Sequence, residues 1–205
     1  YRWLQRPNYA SFGADFIRTI QSLSKSYEAS RTIVCFDFGK SYYRMNMHEE
    51  YKGTRKKPQE EEEIKKYEDF FAVLNSLPDD LDEEVLKFRG VEADDILAWI
   101  TQNVSDRYDN TWIVSSDRDL YQLVDENIIN SFVLYPNPSI FNIFGRKEVT
   151  LQTMAEDFEV SPSEYMLSRI IEGDKSDNIL GIEGIGPKRA QALAREYKTL
   201  DNLLE

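Results

Sequence analysis

The sequence predicts an α/β domain in which a parallel central sheet lies between helices. Short apolar runs of strand length alternate with longer patterns of helical spacing, and several strand-like runs end at aspartates. Alternation of this kind is typical of parallel sheets with helices on their faces. The chain has 205 residues and is 41% hydrophobic, which suits one domain, or one domain with a small appendage.

The first half of the chain begins this alternation. Residues 12–28 carry apolar side chains at helical spacing, and the apolar run 32–36 predicts a strand that ends at Asp37. Residues 41–58 are basic and aromatic, with glycine and proline as breakers. Residues 60–76 are charged and helical in composition, and they carry an apolar stripe at helical spacing.

The second half continues the alternation. A helix is predicted from near Val91, a strand at 111–115 and a helix over 119–124. Residues 128–150 predict one or two short strands, with a proline-containing turn at 136–138.

The last quarter of the chain is predicted to be helical. Residues 151–171 suggest further helix, and a glycine-rich hairpin at 181–186 precedes a last helix over 188–197.

In parallel sheets ligands bind at the carboxyl ends of the strands, which is where Asp37 and Asp117 fall.

Composition and charge restrict the classes of function. The 25 basic and 37 acidic residues give a net charge of −12, which taken alone argues against a nucleic-acid binder. Neither a run of about 18 apolar residues nor a signal peptide is present, so we expect no membrane partner. The single cysteine, Cys35, lies in an apolar run and predicts a reducing, cytoplasmic compartment.

Eight carboxylates gather in four short segments beside predicted strand and helix ends. They are Asp37, Glu92, Asp94, Asp95, Asp117, Asp119, Asp174 and Asp177. Each alone has an ordinary explanation as a helix cap, a first-turn acid or a turn residue. Together they would repel one another unless they share cations.

The chemistry of this acidic set indicates the metal and the reaction. Oxygen ligands without histidine or cysteine favour Mg²⁺ or Mn²⁺ over zinc. Two such ions about 4 Å apart would activate water and stabilise an in-line phosphoryl displacement. His48 is the only histidine and lies away from these acids, so a nucleophilic triad is not indicated.

Two segments predict contacts with a phosphate backbone. Residues 42–57 mix tyrosines with arginines and lysines, a combination that stacks on bases and tracks phosphates. The hairpin at 181–186 leads into Pro187, Lys188 and Arg189, so backbone N–H groups and cations meet at a helix start. The alternatives are a solvated basic loop and a plain helix–loop–helix connection.

Five strings resemble motifs of the bacteriophage-type 5′ nuclease family, which contains flap endonucleases and 5′-3′ exonucleases. They stand in the family's order and cover nearly the whole chain. The strings are DFGKS at 37–41, EYKGTR at 50–55, GVEADD at 90–95, SSDRD at 115–119, and GDKSDN at 173–178 running on to GIEGIGPKRA at 181–190.

The resemblance implies a metal-dependent, structure-specific nuclease that cuts phosphodiester bonds at 5′ flaps, nicks or RNA primers in DNA replication or repair. It implies the 5′ nuclease fold, similar to the PIN fold, with a catalytic core at 1–150 that includes a helical arch at 42–85. A helix-hairpin-helix region would follow at 151–205. Two Mg²⁺ or Mn²⁺ ions, a K⁺ ion at the glycine hairpin, branched or nicked DNA or an RNA–DNA primer, and a monomeric state complete this expectation.

The resemblance also assigns roles to single residues. The inner metal cluster would consist of Asp37, Glu92, Asp94, Asp95 and Asp117. A second metal, or its water shell, would be held by Asp119, Asp174 and Asp177. Lys52 and Arg55 match arch positions near the reacting phosphate, and Arg2 matches a basic residue that follows the family's first strand. The expected DNA contacts are Tyr51, Lys56, Lys57, Gly184, Gly186, Lys188 and Arg189.

One departure and two alternatives remain. The family opens with a strand that ends in an aspartate, and we expect that strand ahead of Tyr1. A PIN-like ribonuclease has a related fold and a smaller acidic set, but it needs neither the glycine hairpin nor the basic arch. A non-catalytic module that binds branched DNA is the other alternative, although clustered carboxylates would repel such a polyanion.

Overall fold

The computed structural model describes residues 11–55, 58–134 and 145–205. The predicted roles of Arg2, Lys56 and Lys57 and the predicted turn at 136–138 lie outside the described residues.

Helices and strands alternate along the described chain. The helices are α1 (Phe12–Ser26), α2 (Tyr42–Met47), α3 (Glu61–Asp80), α4 (Ala93–Asn103), α5 (Leu151–Thr153), α6 (Pro162–Glu172), α7 (Pro187–Tyr197) and α8 (Leu200–Leu204). The strands are β1 (Ile33–Phe36), β2 (Glu84–Lys87), β3 (Thr111–Val114), β4 (Ile128–Leu134), β5 (Gly145–Val149), β6 (Gly173–Asp174) and β7 (Ile179–Leu180). Short 3₁₀ helices span Ser105–Arg107 and Arg118–Leu123, and a π-helical turn spans Met154–Phe158.

The strands form a mixed arrangement that confirms the α/β class. β1 pairs with β2 in parallel, and β3 pairs with β4 in parallel. β5 pairs with β4 in the antiparallel direction. Within the described residues β1 and β3 are not paired, and a cavity of about 590 Å³ lies between them, lined also by α1 and α4.

Several elements differ from the sequence prediction. The prediction missed β2, α2 and α8, while the predicted helix over 119–124 is a 3₁₀ helix. The helix predicted over 151–171 is interrupted at Glu159, which has a φ of 55°, and a new helix begins behind Ser161. Ser161 caps α6 in a capping box with Glu164, which satisfies two free N–H groups at the helix start.

Two apolar cores hold the elements that carry the site. The α1–β1–α3 core contains Phe12, Phe36 and Leu77, which pack side by side at the sheet. The α6–α7 core contains Ile171 and Ala190, both almost fully buried. Among the described residues, no helix is both long and apolar enough to cross a membrane.

Candidate active site

The ends of β1 and β3 bring two aspartates to the start of α4. Asp37 follows β1, and its Oδ1 accepts a hydrogen bond from the backbone N of Ala93 at 2.6 Å. Asp117 follows β3 and caps the next 3₁₀ helix by accepting from the backbone N of Asp119 at 2.9 Å. The prediction that acids collect at the carboxyl ends of parallel strands therefore holds for the positions of both side chains.

Four carboxylates form what we call the inner group: Asp37, Glu92, Asp94 and Asp117. Partial burial, followed by repulsion from Asp117, Asp37 and Glu92, raises the pKa of Asp94 to about 6. Part of the Asp94 side chain still faces solvent, so the burial is incomplete. Four carboxylates crowd together here, and Lys52, the cation paired with Glu92, only partly offsets their repulsion, so the site favours binding of a further cation.

Glu92 is the buried member of the inner group, with 5% of its surface exposed. Its Oε1 lies 2.8 Å from Nζ of Lys52, and its Oε2 accepts a hydrogen bond from the Tyr51 hydroxyl at 2.9 Å. A buried carboxylate needs such partners, because an unpaired buried charge is strongly unfavourable. The Lys52 side chain is thereby held at the edge of the inner group.

Asp95 has different neighbours from Asp94. Nη1 of Arg44 lies 2.6 Å from Oδ2 of Asp95, and Nη2 lies 2.8 Å from Oδ1. These two hydrogen bonds from Arg44 are the largest cause that lowers the pKa of Asp95. Two parallel N–H···O bonds make the strongest form of arginine–carboxylate contact.

Three further acids form the outer group: Asp119, Asp174 and Asp177. Arg169 on α6 lies between two of them, with Nε 2.9 Å from Oδ1 of Asp119 and Nη2 3.2 Å from Oδ2 of Asp174. Asp174 also accepts from the backbone N and the hydroxyl of Ser176, both at 2.7 Å. Burial alone would raise the pKa of Asp174, but the hydrogen bonds from Ser176 act against it, and the pKa is lowered.

The third outer acid ties the arch segment to the loop between β6 and β7. Arg55 Nη2 lies 2.7 Å from Oδ1 of Asp177, and the Tyr51 hydroxyl donates to Oδ2 at 3.0 Å. The backbone N of Lys52 donates to the Asp177 carbonyl at 3.0 Å. His48 Nε2 lies 3.0 Å from the carbonyl of Asn178 and donates to it, because a carbonyl only accepts.

Tyr51 has a different role from the predicted one. Its surface is only 4% exposed, so its ring cannot stack on a base in this conformation. Its hydroxyl instead contacts Glu92 of the inner group and Asp177 of the outer group. Burial, followed by these two carboxylate contacts, raises the pKa of Tyr51. The exposed tyrosines of the segment are Tyr42 and Tyr43.

The glycine hairpin presents its cations to solvent. Gly184 has a φ of 77°, which the hairpin turn requires and which side chains disfavour. Gly186 caps α7, and Pro187 occupies its first turn. Lys188 and Arg189 follow and are exposed. The hairpin is anchored to α6 by the hydrogen bond from Ile182 N to Ile171 O at 2.8 Å.

The inner group fits a hard divalent cation by its chemistry. All its donors are carboxylate oxygens, and their mutual repulsion is relieved when a cation is bound. In the part of the chain that the structure describes, no three His, Cys, Asp or Glu side chains are already arranged as a complete metal site. Side chains such as Glu92, now paired with Lys52, would have to change partners on binding.

Two site residues were missed by the sequence interpretation. Arg44 was noted only as one of several cations in a basic segment, and Arg169 was not singled out. No specific sequence feature marks either arginine as a site residue, because arginines that stand a few residues from acids are frequent in proteins. Arg169 stands five residues before Asp174, and only the turn at Gly173 brings the two side chains together.

Carboxylates at the carboxyl ends of an α/β sheet, flanked by an arch segment with cations and by a glycine hairpin, define a metal-dependent nuclease of the 5′ nuclease class. The comparison with protein families agrees with this class. Residues 7–157 match the 5′-3′ exonuclease, N-terminal resolvase-like domain. The chain belongs to this family of 5′-3′ exonucleases.

Similar proteins come from a bacteriophage and from bacteria. The flap endonuclease of Escherichia phage T5 is 36% identical over 211 residues, which cover 100% of this chain and 69% of that protein. The 5′-3′ exonuclease of Mycoplasmopsis pulmonis is 29% identical over 190 residues, which cover 93% of this chain and 59% of that protein. The chain thus spans between three fifths and seven tenths of these relatives.

A solved structure is similar over the same region. The bacteriophage T5 flap endonuclease, in a pseudo-enzyme–product complex with DNA and metal ions, superimposes with a TM-score of 0.82 at 33% identity. The match covers 94% of this chain and 70% of that one. The similarity supports both the fold and the family assignment.

Proposed function

We propose that the protein hydrolyses phosphodiester bonds of DNA at 5′ flaps, nicks or RNA primers in replication or repair, using two Mg²⁺ or Mn²⁺ ions. The observation that carries this proposal is the inner group of four carboxylates beside the Lys52 ammonium group, where burial and then repulsion from the other three acids raise the pKa of Asp94 to about 6. A site that combines crowded carboxylates with a nearby cation suits metal ions and a phosphate together.

The carboxylates would divide the metals between them. The inner group would hold one ion, and Asp119, Asp174 and Asp177 would hold the second or its water shell. Bound metal supplies activation of the attacking water and charge stabilisation on both sides of the displaced phosphate. The relatives' metal-bound structure supports metal dependence, and the absence of sulfur or imidazole donors in the inner group favours Mg²⁺ or Mn²⁺.

The cations of the arch would orient the substrate. Lys52 lies at the edge of the inner group, and Arg55 lies on the same segment with 57% of its side chain exposed. A phosphate that approaches the inner group therefore meets an ammonium and a guanidinium from one side, which hold it by charge-assisted hydrogen bonds. The family resemblance adds Arg2, Lys56 and Lys57 as further contacts to the substrate backbone.

The hairpin would hold the duplex. Backbone N–H groups at the start of α7, next to exposed Lys188 and Arg189, are suited to a DNA phosphate without reading the base. A K⁺ ion at the hairpin carbonyls of 181–186 would add to this contact. The chain would act as a monomer with a core at 1–150 and a DNA-holding region at 151–205. Binding should weaken steeply with salt, because phosphate contacts release counterions.

The proposal is tested by cleavage of a 5′-labelled flap and a 5′-labelled nicked duplex, with Mg²⁺ and with EDTA. Wild-type protein and Asp117→Asn are compared, since Asp117 follows β3 and belongs to the inner group. Metal-dependent cuts near the branch that are lost in Asp117→Asn would support a nuclease with its metals at this site.

The same assay contains the contrary outcomes. Tight binding of the flap without any cleavage, in Mg²⁺ or Mn²⁺, would indicate a module that holds branched DNA. Because the resemblance places a strand ending in aspartate ahead of Tyr1, the test is repeated on a chain carrying such a strand. Binding without cleavage in both versions would contradict the proposed activity.

A further inference from the structure

Adjacent aspartates at the start of α4 have opposite surroundings. Asp94 faces the carboxylates of Asp117, Asp37 and Glu92, whereas both oxygens of Asp95 are bonded by Arg44; the Lys52 charge acts on both aspartates. Successive helical residues point about 100° apart, so one turn can place neighbouring side chains in different environments. The resemblance places both aspartates in the inner metal cluster, but their contacts differ.

Arg44 is fixed on both of its sides. Its guanidinium bonds Asp95 through Nη1 and Nη2 at 2.6 and 2.8 Å, and its Nη1 donates to the Ser41 hydroxyl at 3.3 Å. Ser41 is 1% exposed and also caps α2 by accepting from the backbone N of Arg44. A planar guanidinium held at two points has little freedom to rotate, and lysine could not reproduce this contact.

The helix α2, which carries Arg44, packs against the segments next to Asp37 and Glu92. The backbone N of Tyr42, the first residue of α2, donates to the carbonyl of Gly90 at 3.0 Å, and Gly90 N donates to Phe38 O at 2.8 Å. A side chain at Gly90 would overlap the Tyr42 ring, so the helix lies directly against this turn. The Arg44–Asp95 contact adds a second link, between α2 and the first turn of α4.

We propose that Arg44 and Asp95 are a positioning pair that holds α2, the first helix of the arch segment, against the acidic turn, while the inner metal is coordinated without Asp95. Both Asp95 oxygens are engaged by Arg44, whose Nη1 also lies 3.8 Å from Oε2 of Glu92. A fixed cation beside a metal would weaken coordination by the carboxylate it holds. This inference rests on the proposed nuclease function and deepens it.

The pair predicts a specific pattern of Mn²⁺ binding in calorimetric titrations of the intact protein. Asp95→Asn leaves the Arg44 cation without its carboxylate, so Mn²⁺ binding weakens. Arg44→Gln leaves the Asp95 carboxylate without its cation, so Mn²⁺ binding is unchanged or tighter. The double variant Arg44→Gln/Asp95→Asn keeps the net charge. It should bind the wild-type number of Mn²⁺ ions with affinity within about threefold of wild type.

Asp94→Asn is the matched control, because it removes the neighbouring carboxylate that faces the inner group. It should lose one bound Mn²⁺ ion. If the double variant loses an ion in the same way, Asp95 is a ligand and the proposal is overturned. If wild-type protein binds no Mn²⁺ at all, the proposed function itself fails, which is a separate result.

Cleavage distinguishes positioning from a purely structural contact. At saturating Mn²⁺, the double variant should lower kcat on a flap roughly tenfold, and Arg44→Lys should lie between it and wild type, because it keeps the charge but not the two-point contact. A double variant that binds Mn²⁺ and cuts as fast as wild type would overturn the positioning role. A kcat loss that disappears once thermal unfolding is corrected for would do the same.

Discussion

The inner and outer carboxylate groups lie in one site but are stabilised in different ways. In the inner group the acids crowd one another, and the pKa of Asp94 is raised to about 6. In the outer group each acid already has a partner from the chain: Arg169 for Asp119 and Asp174, and Arg55 for Asp177. The pKa of Asp174 is accordingly lowered, with Ser176 as its main stabilising partner.

The difference indicates an order of metal binding. A cation entering the inner group relieves repulsion at Asp94 and has only Glu92 to release from Lys52, whereas one entering the outer group must displace Arg169 or Arg55 from its carboxylate. We therefore expect the inner group to bind first and more tightly. The displaced arginines would then be free to contact phosphate.

Removal of an inner carboxylate should have the largest effect. Asp94→Asn is expected to reduce flap cleavage by roughly 10²–10³-fold, the size of losing one preorganised charged group in a catalytic site. Single-turnover cleavage at saturating metal measures this change. Asp106→Asn, an exposed aspartate in the 3₁₀ helix Ser105–Arg107, is the matched control and should cut as wild type. An equal loss of cleavage in both variants would show that the inner group has no special role in the reaction.

Removal of the outer group's cation should affect stability more than chemistry. Arg169→Gln leaves Asp119, Asp174 and Glu172 without their shared partner. We expect the metal-free protein to lose about 1–2 kcal/mol, because the contact is only partly buried. Mn²⁺ should restore most of this loss, since the freed acids can now bind it. Thermal unfolding with EDTA and with Mn²⁺ gives both numbers.

Arg195→Gln is the comparison for that variant. Arg195 pairs with Glu159 at an exposed surface, and its loss should cost less than about 0.5 kcal/mol with no response to Mn²⁺. If Arg169→Gln behaves like Arg195→Gln, the outer acids are not held by Arg169 in solution.

The pH dependence of metal-free stability should separate the two groups. The raised pKa of Asp94, about 6 in the folded protein, lies above the unfolded value of about 3.9. Protonation of Asp94 therefore favours folding, and this contribution is lost as the pH rises through 6. With EDTA, Asp94→Asn should be more stable than wild type at pH 7.5, by about 1 kcal/mol after screening, and the gap should narrow by roughly half at pH 5 and close near the unfolded pKa of about 3.9.

Asp174 should behave in the opposite sense. Its lowered pKa favours folding above its ordinary value, and this contribution is lost only as the pH falls below that value. The stability difference between wild type and Asp174→Asn should therefore be constant between pH 5 and 7.5. A gap for Asp94→Asn that is also constant would show that the inner acids do not repel one another as described.

Removal of the hydroxyl that joins the two groups should have a modest effect on stability. Tyr51→Phe keeps the buried ring but removes the contacts to Glu92 and Asp177, and should cost about 1 kcal/mol in urea unfolding. Tyr197→Phe, on α7, serves as a control for loss of a hydroxyl elsewhere. In a double-mutant cycle with Asp177→Asn, Tyr51→Phe should be non-additive. Full additivity would mean that the Tyr51 hydroxyl does not contact Asp177 in solution.

The sequence predicted the fold class and much of the acidic set because those features are local. Asp37 and Asp117 each follow an apolar strand, and the hairpin is marked by glycine spacing. The strand β2 was missed because Glu84–Lys87 is short, partly exposed and has a lysine and a glutamate at its ends. Its pairing with β1 joins segments about fifty residues apart, which periodicity does not reveal.

The partners of the carboxylates were less predictable. Tyr51 lies in a basic, aromatic segment that favours a base-stacking interpretation, yet its ring is buried and its hydroxyl donates to Glu92. Arg44 and Asp95 stand fifty-one positions apart, and only the packing of α2 against α4 makes them neighbours. Pairing of charges depends on tertiary position and rotamer, and neither can be read from spacing alone.

The most direct test is anomalous diffraction from crystals exposed to increasing Mn²⁺. The first peak should lie among Asp37, Glu92, Asp94 and Asp117, with Arg44 still bonded to Asp95, and a second peak near Asp119, Asp174 and Asp177 should need more Mn²⁺. A first peak in the outer group, or one coordinated by Asp95, would contradict the difference between the two groups.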